Sequence, residues 1–393
     1  MKIAFVGNLY PKECIKEYRE SSKNGIDNAA NTLQWSIING LRCYSDVQIY
    51  TLPVVGTYPI NNRKLYFKSI FNIPTLFCLG YVNLPIISHI TKAIALYSSL
   101  KRNLPFDTKC IIVYGMTSYF LTALYFIKNE KIKICLVVPD LPQYMSDSRN
   151  VLYLLAKKVD KRLMNWLLKC VDGYVLISKY MANLLPVANN NWTVVEGIFD
   201  PKYTFNKVIQ YDNVSYEYIM YSGTLAKRYG VMNLVKAFQC LEDTDVFLVI
   251  CGLGDSEQEI LKYAKRNPRI IFKGQIRREE VLKLQKNACL LVNPRLPNGA
   301  YTKYSFPSKN MEYFASGTPT LLYRLKGIPD EYFEYCFTLT DQSIEALTLK
   351  IKEILTMNKD DLRQKGMRAR QFIIDKKNPQ KQVERIIELI RII

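Results

Sequence analysis

Short, near-continuously apolar runs recur along the whole chain, with helix-length segments between them. In the first half they are KIAFVG (2–7), DVQIYTL (46–52), KCIIVYG (109–115), IKICLVV (132–138), GYVLI (173–177) and WTVV (192–195). In the second half they are EYIMYS (217–222), VFLVIC (246–251), RIIFK (269–273), CLLVN (289–293), PTLLY (319–323) and CFTL (336–339). A strand with one wet face alternates apolar and polar residues. A run apolar on both faces belongs to a parallel strand covered by helices on both sides. Between the runs the period becomes helical: Val231, Leu234, Val235 and Phe238 fall at i, i+3, i+4 and i+7. The alternation predicts an α/β chain of two Rossmann-like, doubly wound domains. A chain of 393 residues also calls for two cores rather than one. The junction falls near 198–215, where periodicity lapses and Pro, Asn and Asp gather. This gives a first domain over 1–200 and a second over 201–375. The amphipathic segment 376–393 is free to pack back onto the first.

Several function classes drop out. The ten cysteines show no CxxC spacing, and several lie inside apolar runs. Buried free thiols in a reducing, cytoplasmic setting are expected, not a disulfide framework. His89 is the only histidine and no metal-ligand spacing exists, so no metal site is expected. His89 itself fits helix packing better than proton transfer. The start of the chain is a strand, not a signal peptide. No apolar run approaches the roughly 20 residues that cross a bilayer. A soluble or peripheral protein follows.

The net charge of +19 implies an anionic partner. Residues 47–106 contain no acid, yet carry Arg63, Lys64, Lys68, Lys92, Lys101 and Arg102 among many aromatics. In segment 151–170, Lys157, Lys158, Lys161 and Arg162 stand beside Tyr153 and Trp166. Both stretches suit the anionic inner face of a membrane. Core helices with solvated basic edges fit the second equally well. No nucleic-acid module is present, and the acid-free stretch is more apolar than a nucleic-acid groove needs.

The sharpest local pattern is SFPSKNMEYFASGTP (305–319), set between two predicted strands. Pro307 opens a helix with Ser308 as N-cap; Gly317 closes it and Pro319 prevents continuation. Lys309 then lies in the first turn, where free N–H groups already attract anions. Glu312 lies one turn on. The arrangement suits a nucleoside diphosphate, with phosphate on Lys309 and the helix end and ribose hydroxyls on Glu312. An ordinary capped helix with an i,i+3 Lys–Glu pair has the same spacing. A second pattern, YSGTLAKRYGVMNLVKAF (221–238), is a strand, a turn at Gly223, a basic loop with Lys227 and Arg228, Gly230 and a helix. In CGLGDSE (251–257) Gly252 and Gly254 open a GxG, but Glu257 occupies the third glycine position. A nicotinamide dehydrogenase is therefore not expected.

The 305–319 string resembles the donor-site helix of glycosyltransferase family 4, which has the GT-B fold of two Rossmann-like domains facing a cleft. In that family a first Glu contacts the donor sugar, and a second Glu, eight residues on, holds the ribose. Glu312 matches the second, whereas Tyr304 stands at the first. The resemblance gives Tyr304 and Asp140, in VVPDLPQY (137–144), catalytic-site positions. Pro139 stands where family members often have a histidine. It places Gly25 of NGID (24–27) and Gly223, Lys227, Arg228, Gly254, Arg295, Ser308, Lys309 and Glu312 around the donor. The family's phosphate-binding Arg and Lys are displaced here, and Lys227, Arg228, Arg295 or Lys303 must substitute. Arg295, directly after a strand, is the preferred substitute. The implied activity is hexosyl transfer from a nucleotide-diphosphate sugar to a polysaccharide or lipid-linked saccharide, as in bacterial capsule or exopolysaccharide assembly. The resemblance also implies retention of configuration and no metal or other cofactor. The rivals are a nucleotide-sugar 2-epimerase of the same fold and a basic nucleic-acid-binding protein.

Overall fold

The computed structural model describes residues 2–23, 25–141, 151–188, 190–201, 216–242 and 244–393. They form two compact units, Met1–Ile198 with Pro379–Ile393, and Phe199–Asn378.

The first unit begins with β1 (Lys2–Gly7), α1 (Ile15–Ser21), α2 (Asn28–Leu41) and β2 (Asp46–Thr51). Four short strands follow: β3 (Tyr66–Phe67), β4 (Ile70–Ile73), β5 (Leu76–Cys78) and β6 (Tyr81–Val82). Then come α3 (Ile87–Asn103), β7 (Thr108–Tyr114), α4 (Ser118–Ile127), β8 (Lys133–Val138), α5 (Val151–Leu167), β9 (Gly173–Leu176) and β10 (Trp192–Val194). One sheet runs β10-β9-β8-β7-β1-β2-β5-β4. Its neighbours are parallel except β4 and β5. The winding leaves β1 in both directions, so strand order reverses between β1 and β7. Loops at the carboxyl ends beside such a point are where open α/β sheets take ligands.

The second unit contains β11 (Tyr218–Ser222), α6 (Val231–Gln239), β12 (Phe247–Cys251), α7 (Glu257–Arg266), β13 (Ile270–Gly274) and α8 (Arg278–Asn287). It continues with β14 (Leu290–Asn293), α9 (Lys309–Ser316), β15 (Thr320–Tyr323), β16 (Phe337–Leu339), α10 (Ile344–Leu355) and α11 (Lys359–Lys376). Its sheet, β13-β12-β11-β14-β15-β16, is parallel throughout. The four helical positions singled out on α6, Val231, Leu234, Val235 and Phe238, are fully buried in one cluster with Leu248, Ile250 and Ile351. Each such side chain contributes about 1.5–3 kcal/mol through burial.

The last helix, α12 (Pro379–Ile392), belongs to the first unit and packs along α2. Gly40 permits this, since a Cβ there would lie 2.3 Å from the Pro379 carbonyl oxygen. Gln382 Nε2 donates to the Gly197 carbonyl at 2.7 Å, and Val383 and Ile386 are completely buried.

Every strand expected from an apolar run is present. The four strands β3 to β6 were not expected, and they change the reading of the acid-free stretch. Its charges meet acids and carbonyls of α1: Lys64 pairs with Glu17 at 2.6 Å, and the Arg63 guanidinium donates to the Glu20 carbonyl at 3.0 Å. Its aromatics are partly core, with Phe67 stacked on Tyr18 at 4.6 Å and Tyr81 buried. Lys92 lies inside, its Nζ 4.3 Å from the Tyr81 ring centre and 5.2 Å from that of Tyr119. The ten cysteines are free, but Cys43 and Cys240 are exposed rather than buried.

Candidate functional site

In the second unit strand order reverses between β11 and β14, and a cavity of about 180 Å³ opens at their carboxyl ends. Tyr221, Thr224 and Tyr229 line it from the β11 side, Asn293 and Arg295 from the β14 side, and Phe306 to Lys309 from the start of α9. Of the proposed donor residues, this brings together Arg295, Ser308 and Lys309, with Gly223 directly behind the lysine. A Cβ at Gly223 would lie 2.4 Å from Lys309 Cε. Burial lowers the Lys309 pKa first; Glu312 opposes that shift and Arg278 adds to it.

Arg295 is the most firmly held cation at this edge. Its guanidinium carbon is 4.9 Å from the Tyr229 ring centre and 5.1 Å from that of Tyr301, so two rings hold it. One terminal nitrogen donates to Ser305 Oγ at 3.0 Å, while buried Nε makes no hydrogen bond. Gly230 helps to place it, because a Cβ there would strike the Pro294 carbonyl oxygen at 2.1 Å. Behind the cavity Asn293 Nδ2 donates to Asn310 Oδ1 at 2.7 Å, leaving the buried Asn310 Nδ2 without a partner. Tyr313 ties α9 to β11: its hydroxyl accepts from the Ser222 N–H at 2.9 Å and donates to the Ser222 carbonyl at 3.2 Å.

Other expectations are met differently. Ser308 holds the N-cap position of α9 but makes no side-chain cap bond. Its backbone is already helical there, so the hydroxyl stays on the exposed rim. Gly317 does close the helix in a left-handed conformation. Glu312 pairs not with Lys309 but with Arg278 at the start of α8, at 2.9 Å. Arg278 went unnoticed in the sequence, though it stands second in the charged run RREE (277–280). Lys227 and Arg228 are exposed and do not line the cavity. Lys227 Nζ lies 3.6 Å from Glu259, and Arg228 lies over Tyr229. Gly254 has a packing reason of its own, since a Cβ there would meet the Leu225 backbone at 2.5 Å. Tyr304 is buried under Lys303, whose Nζ is 4.9 Å from its ring centre; neither residue is in the cavity lining.

Gly25 and Asp140 belong to the first unit. Gly25 has φ +76°, accepts from Ser22 Oγ at 2.6 Å and faces open space in the loop before α2. Asp27 caps that helix by accepting from the Ala30 N–H at 3.0 Å. Asp140 is exposed just past β8. Burial raises the Tyr114 pKa, and the Asp140 and Asp27 carboxylates add to the rise, so both act on one strand end. Gln143 and Tyr144 of the same motif, and Asn24, lie outside the described residues. His89 packs its ring edge against Tyr119, with centres 5.5 Å apart. Among the described residues no group of three or more His, Cys, Asp or Glu side chains is placed to hold a metal ion, and no helix is long and apolar enough to cross a membrane.

A mostly parallel, doubly wound sheet in each unit, with a cationic cavity at the reversal point of the second, is the architecture of the GT-B fold. Residues 205–372 match the model of the family described as glycosyl transferases group 1. No curated protein matches it. Among solved structures it is similar to a sucrose-phosphate synthase from Thermosynechococcus elongatus (15% identity, TM-score 0.65, covering 100% of this chain and 98% of that one). It is similar to Anabaena HepE in complex with UDP (12% identity, TM-score 0.63, covering 100% of both chains). It is also similar to a mutant of S. aureus TarM in complex with fondaparinux, alpha-GlcNAc-glycerol and UDP (12% identity, TM-score 0.62, covering 99% of this chain and 100% of that one). At these identities the likeness establishes the fold.

Proposed function

We propose that the protein is a glycosyltransferase that moves a hexose from a nucleoside-diphosphate sugar to a saccharide acceptor, carried on a polysaccharide or a lipid. One observation carries the reading: Arg295, held between Tyr229 and Tyr301, and Lys309 at the start of α9 share one cavity at the reversal point of the second sheet. Fixed cations and free N–H groups at such a point neutralise the charge that develops on a leaving diphosphate. The donor phosphate can then assist in deprotonating the acceptor, which suits a retaining reaction without a strong protein base. Glu312 takes the ribose hydroxyls. Lipid-linked acceptors would place the enzyme at the cytoplasmic membrane surface.

The test is calorimetric titration with nucleoside diphosphates, followed by a donor-hydrolysis screen of nucleotide sugars. Arg295→Ala should weaken diphosphate binding by about 1.5–3 kcal/mol, the worth of a charge-assisted contact. Lys227→Ala should change it by less than about 0.5 kcal/mol, as for an exposed side chain outside the cavity. Equal effects at the two positions would refute the assignment. Turnover should survive EDTA, because Arg295, Lys309 and the helix end supply the positive charge. Activity lost to chelation and restored by magnesium or manganese would refute metal independence.

A further inference from the structure

Among the described residues, the first unit presents an apolar face that its own fold leaves uncovered. On α3, Ile87, Ile90, Ile94, Tyr97 and Lys101 recur at helical spacing along one stripe. The opposite side of the helix is buried through Ser88, Lys92, Leu96 and Leu100. Ring contacts carry the stripe across two more helices. Tyr97 meets Phe126 of α4 at 6.3 Å, Phe126 meets Tyr125 at 5.5 Å, and Tyr125 meets Trp166 of α5 at 4.5 Å. These side chains are exposed: Ile94 by 59%, Phe126 by 68% and Trp166 by 46%. Single exposed apolar residues are ordinary on a soluble protein, whereas a contiguous band across three helices marks a docking surface.

The charge around the band says what docks. Lys101 ends the α3 stripe, with its Nζ 5.7 Å from the Tyr97 ring centre. Arg102 follows it, and Lys158 and Arg162 flank the exposed Val159 and Leu163 on α5. Asp160 is the only acidic residue on α3, α4 and α5 together. Trp and Tyr with an aliphatic stripe and a cationic fringe match the boundary between headgroups and acyl chains, where rings sit at the polar interface and Lys and Arg meet phosphate. We propose that this α3–α4–α5 face docks the protein on an anionic phospholipid surface. The proposal moves the membrane contact expected from the sequence away from Lys68 and from Arg63 and Lys64, which bond to α1. It rests on the transferase reading only for its purpose, access to lipid-linked acceptors; binding can be measured without turnover.

The experiment is co-sedimentation of the full chain with phosphatidylcholine vesicles, with and without phosphatidylglycerol. The wild type should bind only the anionic vesicles, and less at raised salt. Lys101→Glu/Arg102→Glu/Arg162→Glu should lower partitioning by about tenfold or more, since each surface cation is worth roughly a fivefold gain near an anionic leaflet. Ile90→Ser/Ile94→Ser/Phe126→Ser should lower it further, while Arg63→Glu/Lys68→Glu should leave it unchanged. Melting temperature and nucleoside-diphosphate affinity, a property of the other unit, should stay at wild-type values in every variant. Failure of the wild type to bind anionic vesicles, or binding that ignores the face variants and follows Arg63 and Lys68, overturns the proposal. So does a dimer in size exclusion that the Ile90/Ile94/Phe126 variant disperses while vesicles are ignored, because the face would then belong to a second copy. Absence of nucleotide binding with intact vesicle binding would sink the transferase reading alone.

Discussion

Gly7 ends β1 and Gly223 directly follows β11, the first strands of their sheets, and each lacks a side chain for the benefit of another residue. A Cβ on Gly7 would lie 2.3 Å from Gln34 Oε1; one on Gly223 would lie 2.4 Å from Lys309 Cε. The occupants differ in chemistry. Gln34 is completely buried and locked to Asn8, accepting from its N–H at 2.9 Å and donating to its Oδ1 at 2.7 Å. Lys309 lines an open cavity beside Arg295. The same winding thus gives a neutral, self-satisfied crevice at one strand end and an open, cationic one at the other. Winding decides where a ligand can sit, and the residue behind the glycine decides whether an anion does.

The strongest way to break this comparison is Glu312→Ala. If the second unit's edge holds a nucleotide, removing the carboxylate that takes the ribose should cut transfer by about a hundredfold or more, as when one transition-state interaction is deleted. Stability should change by no more than about 1 kcal/mol, because the ion pair with Arg278 is partly exposed. Arg278→Ala should leave nucleotide affinity equal or tighter, since it releases the carboxylate. Full transfer by Glu312→Ala would remove the ribose role.

The cations of the two units offer the next contrast. Lys92 in the first unit is 6% exposed, and burial pushes its pKa from 10.5 down to about 8. Below about pH 8 it is protonated folded and unfolded alike, and the folded state bears the full burial cost. Between about 8 and 10.5 the unfolded chain holds the extra proton, so stability should rise with pH. At about 1.4 kcal/mol per pH unit the span is worth about 3 kcal/mol. Chemical denaturation of wild type and Lys92→Met across that range should show the rise in the wild type alone. A slope common to both would assign it to other groups.

Much of this was legible beforehand for a plain reason. Strands apolar on both faces announce themselves in one dimension, and so did the limits of α9, where Pro307 and Gly317 act locally. Strands β3 to β6 span two to four residues and carry no period to read. The clamp on Arg295 joins Tyr229 to Tyr301, and the Glu312 pair reaches back to Arg278; neither pairing has a local sequence signal. The exposed band on α3 was hidden by its opposite. Counting charge over 47–106 summed Lys92, which is inside, with Lys64, which Glu17 answers.

The smallest expected effects come from the two glycines, and they test the comparison most directly. Gly7→Ala would set a methyl group against the Gln34 amide and, at 2.8 Å, against the Phe5 ring. Gln34 cannot retreat without breaking both bonds to Asn8, so stability should fall by about 1–3 kcal/mol, as in overpacked cores. Gly223→Ala meets first the alkyl chain of Lys309, with Cε at 2.4 Å and Cδ at 2.9 Å, and that chain can swing aside. The backbone adds its own cost, since φ +158° at this position disfavours any side chain, so stability should fall by about 1–3 kcal/mol, while Nζ leaves the cavity and nucleoside-diphosphate affinity drops about tenfold, or about 1.4 kcal/mol. Thermal denaturation and nucleotide titration of both variants separate the outcomes. If Gly223→Ala loses stability yet binds nucleotide as the wild type does, both strand ends are structural and the lysine behind Gly223 is packing.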